Sequence, residues 1–142
     1  MEFELTPARR AAINSRLAVL RPRRQDLIAE QNDINRRRDR LKGARDRITR
    51  HLGHHGEFRS SVRNALEPID RMRLRGNNRS QMTDRLREMR DRLVADRDWH
   101  QSNRDAIRNR INALADQRTR VGQSLTAVTN EIEDLERELR VG

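Results

Sequence analysis

The chain has 142 residues and a formal net charge of +10, and it is 33% hydrophobic, 38% charged and only 2% aromatic. This composition excludes a thick apolar core and leaves a thin seam between long helices, or disorder, as the alternatives. The chain contains no cysteine, which excludes disulfides and thiolate metal sites. No apolar run is long enough for membrane insertion, and the N-terminus lacks a signal-peptide core. We therefore expect a cytoplasmic protein, with export alongside a partner left open.

The first arm is predicted to be a helix over residues 7–73. Thr6 and Pro7 favour a helix start, because threonine caps the first turn and proline fits the first helical position. Apolar residues then recur every seven positions, which is typical of a coiled-coil-like helix and argues against disorder. That row is Ile13, Leu20, Leu27, Ile34, Leu41 and Ile48. Pro22 is expected to kink the helix or divide it.

Two segments interrupt the helical pattern. Gly53-His54-His55-Gly56 predicts a break in the first arm near residues 53–56. The segment 74–78, Leu-Arg-Gly-Asn-Asn, predicts the turn between the arms, because glycine and asparagine tolerate left-handed backbone angles.

The second arm is predicted to be a helix over residues 79–140. One heptad row is unbroken: Leu86, Leu93, His100, Ile107, Leu114, Val121, Val128 and Leu135. A second row starts with Met82 and Met89 and resumes, after a one-residue shift, as Ile111, Arg118, Leu125, Ile132 and Leu139.

The arms match in length, so the sequence predicts an all-α fold: a long antiparallel, coiled-coil-like helical hairpin forming a single domain, 1–142. A turn near residue 76 places residue i opposite roughly residue 152 − i, since a short loop makes its helices antiparallel neighbours. The charge pattern agrees with this register and favours the antiparallel arrangement. Arg9, Arg10, Arg16, Arg21, Arg23 and Arg24 would face Glu131, Glu133, Asp134, Glu136 and Glu138.

The register brings all four histidines, His51, His54, His55 and His100, to one level of the hairpin. Three imidazoles could bind zinc, with His51, His55 and His100 as candidates, and a cluster of imidazoles could also act as a proton switch. We predict instead a solvated structural layer without a metal, because two neighbouring glycines loosen the geometry that a metal requires.

Apolar residues that the hairpin covers incompletely are candidates for binding a partner. The first arm's second row is mostly polar, so four residues of the second arm should be only partly covered: Ile111, Leu125, Ile132 and Leu139. Such a strip marks an interaction site for a helical protein or a second copy of the chain. Trp99, opposite Gly53, either fills the space left by the glycines or contacts a partner.

Catalysis and nucleic-acid binding have weaker support. The sequence has no nucleophile elbow, phosphate loop or paired carboxylates in a concave setting, so we predict neither enzyme activity nor a cofactor.

Residues 36–50 are rich in arginine and could contact phosphates. Their charges surround the helix, however, and aromatic residues for base stacking are missing. Nucleic acid is therefore the alternative partner.

The hairpin and its Leu74-Arg75-Gly76 turn resemble the helical-hairpin proteins of type VII secretion. These are the Trp-x-Gly family and the small helical partners encoded beside its larger LXG-type effectors. Gly76 matches the glycine of the motif, Leu74 stands in place of its tryptophan, and the segment 64–86 around the bend is similar in character. The resemblance implies a partner or targeting chaperone of a secreted effector.

Two departures from that family bear on the role. The arms are longer, and the chain has no tyrosine for the family's C-terminal Tyr-x-x-x-Asp/Glu export signal. A partner of an effector therefore fits better than an exported substrate. The length and shape also resemble the basic hairpin stalk proteins of flagellar and type III export ATPases.

Overall fold

The computed structural model describes residues 4–71 and 77–142, without the side chains of residues 66, 68–71 and 77–79. Two α-helices, α1 (Pro7–Arg71) and α2 (Asn77–Val141), pack against each other, and the described residues contain no strand. The prediction of an all-α helical hairpin is confirmed. The predicted arms differ from these helices by at most two residues at any end. Leu74 and Gly76 of the predicted turn lie outside the described residues.

The start of α1 matches the sequence-based expectation. The Thr6 hydroxyl accepts a hydrogen bond from the Arg9 backbone N–H at 3.2 Å, and the Arg10 N–H donates to the Thr6 carbonyl at 3.0 Å. The side chain thus satisfies an N–H group that has no partner inside the first turn.

The predicted break near residues 53–56 is wrong, because α1 is continuous through Gly53 and Gly56. A glycine in a helix costs about 1 kcal/mol relative to alanine. That local cost is offset by packing, since His55 and Val62 are buried on the same helix. Tertiary contact therefore overrides the weak helix propensity of this segment.

Pro22 does not divide α1 either, although a proline inside a helix costs about 3 kcal/mol. Leu20 and Leu27, on either side of Pro22, are 3% and 1% exposed. Burying two leucines contributes about 1.5–3 kcal/mol each, which is enough to hold the helix together across the proline.

The chain forms two compact units: Met1–Arg40 with Asn112–Gly142, and Leu41–Ile111. The predicted single domain therefore stays a prediction, and each unit is described by itself. We call them the terminal unit and the central unit.

Among the described side chains, most of the buried apolar ones belong to the terminal unit. Ile13, Leu17, Leu20 and Ile132 form its core cluster, with half-buried Leu5, Val128, Leu135 and Leu139 packed against it. Leu27, Ile34, Leu114 and Val121 are buried farther along the same seam.

The central unit has a more polar seam. Its described buried residues are Val62, Ile111, His55 and Thr83, two apolar and two polar. Most of the apolar residues of its heptad rows, such as Ile48 and Leu93, are half-buried. Neither α1 nor α2, over the described residues, has a segment long and apolar enough to cross a membrane.

Candidate functional site

The described aromatic residues, Phe58 and Trp99, are both exposed. Trp99 is 62% exposed and Phe58 53%, and Met82 and Met89 of the same unit are also exposed. Trp99 packs edge-on against the His100 ring at a centroid distance of 4.9 Å. A chain so poor in aromatic residues therefore leaves two of them in solvent.

One of the two interpretations of Trp99 is wrong. A Cβ added at Gly53 or Gly56 would meet nothing within 4 Å, so the indole does not fill space beside these glycines. The interpretation of Trp99 as a residue that contacts a partner remains.

The structure corrects the predicted partner strip. Ile132 is 0% exposed and packs with Ile13, Leu17 and Leu20, and Ile111 is also buried. The expectation that these two residues are only partly covered is wrong. The facing row, although mostly polar, supplies Leu17 at the level of Ile132, so both helices are apolar there.

Leu125 and Leu139, the other two residues of the strip, are half-buried. Leu139 packs against the core of the terminal unit. Leu125 lines an open groove of about 670 Å³ together with mostly polar neighbours. These are Gln31, Thr119, Gly122, Gln123, Thr126, Ala127 and Asn130. The four predicted residues therefore do not form one exposed apolar surface.

Ion pairs join the helices of the terminal unit in the predicted charge block. Arg9 pairs with Glu138 at 2.8 Å, Arg16 with Glu131 at 2.8 Å, and Arg21 with Glu136 at 3.2 Å. The partners' residue numbers add to 147, 147 and 157, which bracket the expected 152. The antiparallel register is therefore confirmed to within about a helical turn.

These contacts shift the titration of the paired groups. The hydrogen bond from Arg9 lowers the pKa of Glu138, and that from Arg16 lowers the pKa of Glu131, each against a smaller opposing effect of desolvation. The same hydrogen bonds raise the pKa values of Arg9 and Arg16. Each pair is therefore held fully charged at neutral pH.

The central unit brings three of the four histidines together around one carboxylate. Asp96 Oδ2 lies 3.2 Å from His55 Nε2 and 3.9 Å from His51 Nε2, and Asp96 Oδ1 lies 3.5 Å from His100 Nε2. The His51 and His100 rings are 4.5 Å apart. We call His51, His55, Asp96 and His100 the histidine cluster.

The two helices contribute equally to the histidine cluster. His51 and His55 are four residues apart on α1, and Asp96 and His100 are four residues apart on α2. This spacing places each pair on one helix face. The residue numbers of His51 and His100 add to 151, as the register predicts, so the antiparallel pairing brings the two faces together.

Asp96 was not among the predicted site residues, and His54, which was not a metal candidate either, takes no part in the described contacts of the histidine cluster. His54 is 81% exposed at its side chain and lies 3.9 Å from Glu57 of its own helix. Asp96 was detectable in principle, since it precedes His100 by one helical turn and the register places it opposite residue 56.

Several arginines line a small hollow elsewhere in the central unit. Arg59, Arg63, Arg90 and Arg97 surround Val94 in a space of about 210 Å³. Arg90 and Arg97 pair with the adjacent Asp91 and Asp98. The hollow is basic overall and could receive an anionic group.

In comparisons with known proteins, no family model matches the chain, and neither a curated protein nor a solved structure matches it significantly.

Proposed function

We propose that this chain is a non-catalytic interaction protein whose hairpin binds another helical protein through the surface around Trp99. The proposed setting is the one that the family resemblance implies. The chain would act in the cytoplasm as a partner or targeting chaperone of a larger effector of type VII secretion, or be exported with it.

The exposure of Trp99 and Phe58 carries this proposal. Tryptophan is enriched among the few residues that supply most of the binding energy at protein interfaces. Met82 and Met89, seven residues apart on one face of α2, add flexible apolar surface, which adapts well to a partner's shape. A partner helix laid over such residues would complete a bundle.

The predicted set of partner-binding residues changes in one respect. Trp99 remains a partner-binding residue, whereas Ile111 and Ile132 contribute to the hairpin itself because they are buried. Leu125, beside its open groove, and Leu139 are secondary candidates.

The test is co-expression with the polypeptide encoded beside this chain, followed by affinity measurement on the purified complex. Trp99→Ala should weaken binding about 30-fold, which corresponds to the roughly 2 kcal/mol typical of an important interface residue. Val19→Ala is the matched control, because Val19 is also about 60% exposed but lies in the terminal unit. Equal affinity for wild type and Trp99→Ala would reject the proposed surface.

A second copy of the chain could cover the same residues, and light scattering decides this case. A dimer that Trp99→Ala converts to a monomer would make the partner the chain itself. A monomer at all accessible concentrations would leave a different protein as the occupant.

The arginine-lined hollow favours nucleic acid as the second candidate partner. Phosphate contacts by arginine make binding strongly dependent on salt concentration. Tight binding of arbitrary duplex that weakens steeply with salt and is lost in Arg59→Glu/Arg63→Glu would support this candidate against the first. Salt-tolerant binding of a helical protein would reject it.

A further inference from the structure

The geometry points to a metal site in the central unit: His51, Asp96 and His100 bind one divalent transition-metal ion of the zinc type, with His55 as the fourth donor. The sequence-based expectation was a solvated histidine layer without a metal. Two features of the structure that the sequence did not reveal, the carboxylate of Asp96 and the burial of His55, change that interpretation.

The spacing of the donor atoms suits a tetrahedral ion. In a zinc site with bonds of about 2.0–2.2 Å, neighbouring ligand atoms lie about 3.3–3.6 Å apart. The three histidine nitrogens lie 3.2, 3.5 and 3.9 Å from the nearest oxygen of Asp96. One donor atom each from His51, Asp96 and His100 lies within 4.8 Å of the other two. Small side-chain rotations would bring the donors of His51, Asp96 and His100 around one ion.

His55 supplies an independent observation. Its Nε2 atom is buried and makes no hydrogen bond within the described chain, although it lies 3.2 Å from Asp96 Oδ2. A buried polar atom without a partner lowers stability. The His51 and His55 rings are 6.2 Å apart, so His55 must turn toward the ion to coordinate it. Coordination would give this nitrogen the partner that it lacks.

The chemistry of the donors selects the class of ion. Three imidazole nitrogens and one carboxylate oxygen are ligands for zinc and similar transition metals, whereas calcium and magnesium prefer oxygen alone. Four protein donors leave no open coordination position, which is the arrangement of a structural rather than a catalytic zinc.

The location suggests what the ion would do. The described part of the central unit fully buries only two apolar side chains, Val62 and Ile111, so its seam is less apolar than that of the terminal unit. An ion held by two residues of α1 and two of α2 would cross-link the helices at this level. An ion that binds the folded chain and not the unfolded one would raise the free energy of unfolding of the hairpin.

The experiment uses the full chain purified without a histidine tag and stripped of metal by a chelator. Equilibrium dialysis against ZnCl₂ should give one zinc per chain, and zinc should raise the thermal unfolding midpoint measured by circular dichroism. His51→Ala, His100→Ala and Asp96→Asn should each weaken zinc binding at least about tenfold and abolish the rise in midpoint.

His54→Ala is the matched control, because His54 is the same residue type, three positions from His51, and lies outside the histidine cluster. It should bind zinc as the wild type does. Equal loss of zinc in His54→Ala and His51→Ala would mean unspecific surface binding and would overturn the site. Less than stoichiometric zinc in a wild-type chain that is fully helical would also overturn it. Helicity measured without zinc shows that each variant is folded, so unfolding cannot be mistaken for lost coordination.

Discussion

Replacing Ile132 by alanine distinguishes a residue of the hairpin core from a residue that binds a partner. Ile132 is 0% exposed and packs against Ile13, Leu17 and Leu20. The substitution removes three carbon atoms, which corresponds to about 2.4 kcal/mol at roughly 0.8 kcal/mol for each buried carbon. The cavity that remains adds to this loss, and isoleucine-to-alanine changes in cores cost about 2–5 kcal/mol.

We expect a loss near the lower end of that range, about 2–3 kcal/mol, because a thin two-helix seam can close around a small cavity more easily than a thick core. Urea unfolding followed by circular dichroism measures the change, and an unchanged slope would show that the two-state analysis applies to both proteins. Val19→Ala is the control, since its side chain is 60% exposed and alanine has the higher helix propensity. Its free energy of unfolding should change by less than about 0.5 kcal/mol.

An Ile132→Ala variant as stable as Val19→Ala would contradict a place for Ile132 in the hairpin core. Unchanged stability together with lost binding of a partner would contradict it as well. The second outcome would assign Ile132 to the predicted interaction surface and would contradict its burial against Ile13, Leu17 and Leu20.

Three further predictions concern the register, the ion pairs and the continuity of α1. Spin labels at Ser15 and Glu136 should lie side by side, and a slip of one heptad would displace them by roughly 10 Å along the helix axis. The lowered pKa values of Glu131 and Glu138 contribute stability that is complete above the ordinary carboxyl pKa and lost as the pH falls through the lowered values. Glu131→Gln/Glu138→Gln lacks both carboxylates, so its urea midpoint should fall less than that of the wild type between pH 7 and pH 3. Gly53→Ala should stabilise the helix by about 0.5–1 kcal/mol, and destabilisation would favour a break there.

The helical hairpin was predictable because its evidence is periodic and extends along the whole chain. Heptad rows identify the faces of two helices, and complementary charge blocks identify their orientation. A single exception, such as Arg118 in the second row of the second arm, does not obscure a pattern supported by many positions. The confirmed ion pairs, such as Arg9–Glu138, show that orientation and approximate register were contained in the sequence.

The continuity of α1 was not predictable from local sequence. Gly53, Gly56 and Pro22 all disfavour a helix locally, and the rule that a helix ends at such residues is sound for a helix with no packing partner. Whether packing offsets the local cost depends on what the neighbouring turns contact. The heptad row already included Leu20 and Leu27 on either side of Pro22, whereas the burial of His55 and Val62 near the glycines is seen only in the structure.

The details of the sites required a finer register than the sequence provides. The approximate register places Asp96 near the level of His55, but it does not give the distances between this carboxylate and the three imidazoles, and it does not show that Ile132 meets Leu17. Trp99 belongs to neither heptad row, so the sequence left two interpretations open, and the structure leaves the side chain 62% exposed.

The histidine cluster also explains how a hairpin with repeating apolar rows can distinguish its correct register from a slipped one. Sliding one helix by seven residues keeps the heptad rows in contact, so apolar packing alone discriminates poorly between the two states. In the central unit such a slip would replace Asp96 and His100, beside His51 and His55, with Met89 and Leu93 or with Asn103 and Ile107. The buried imidazole of His55 would then face an apolar side chain or an amide instead of a carboxylate. Polar residues at seam positions specify register in coiled coils for this reason, at some cost in stability. The polar seam of the central unit is therefore consistent with selection for one alignment of the helices, and the label distance between residues 15 and 136 in His55→Leu would show whether the alignment depends on it.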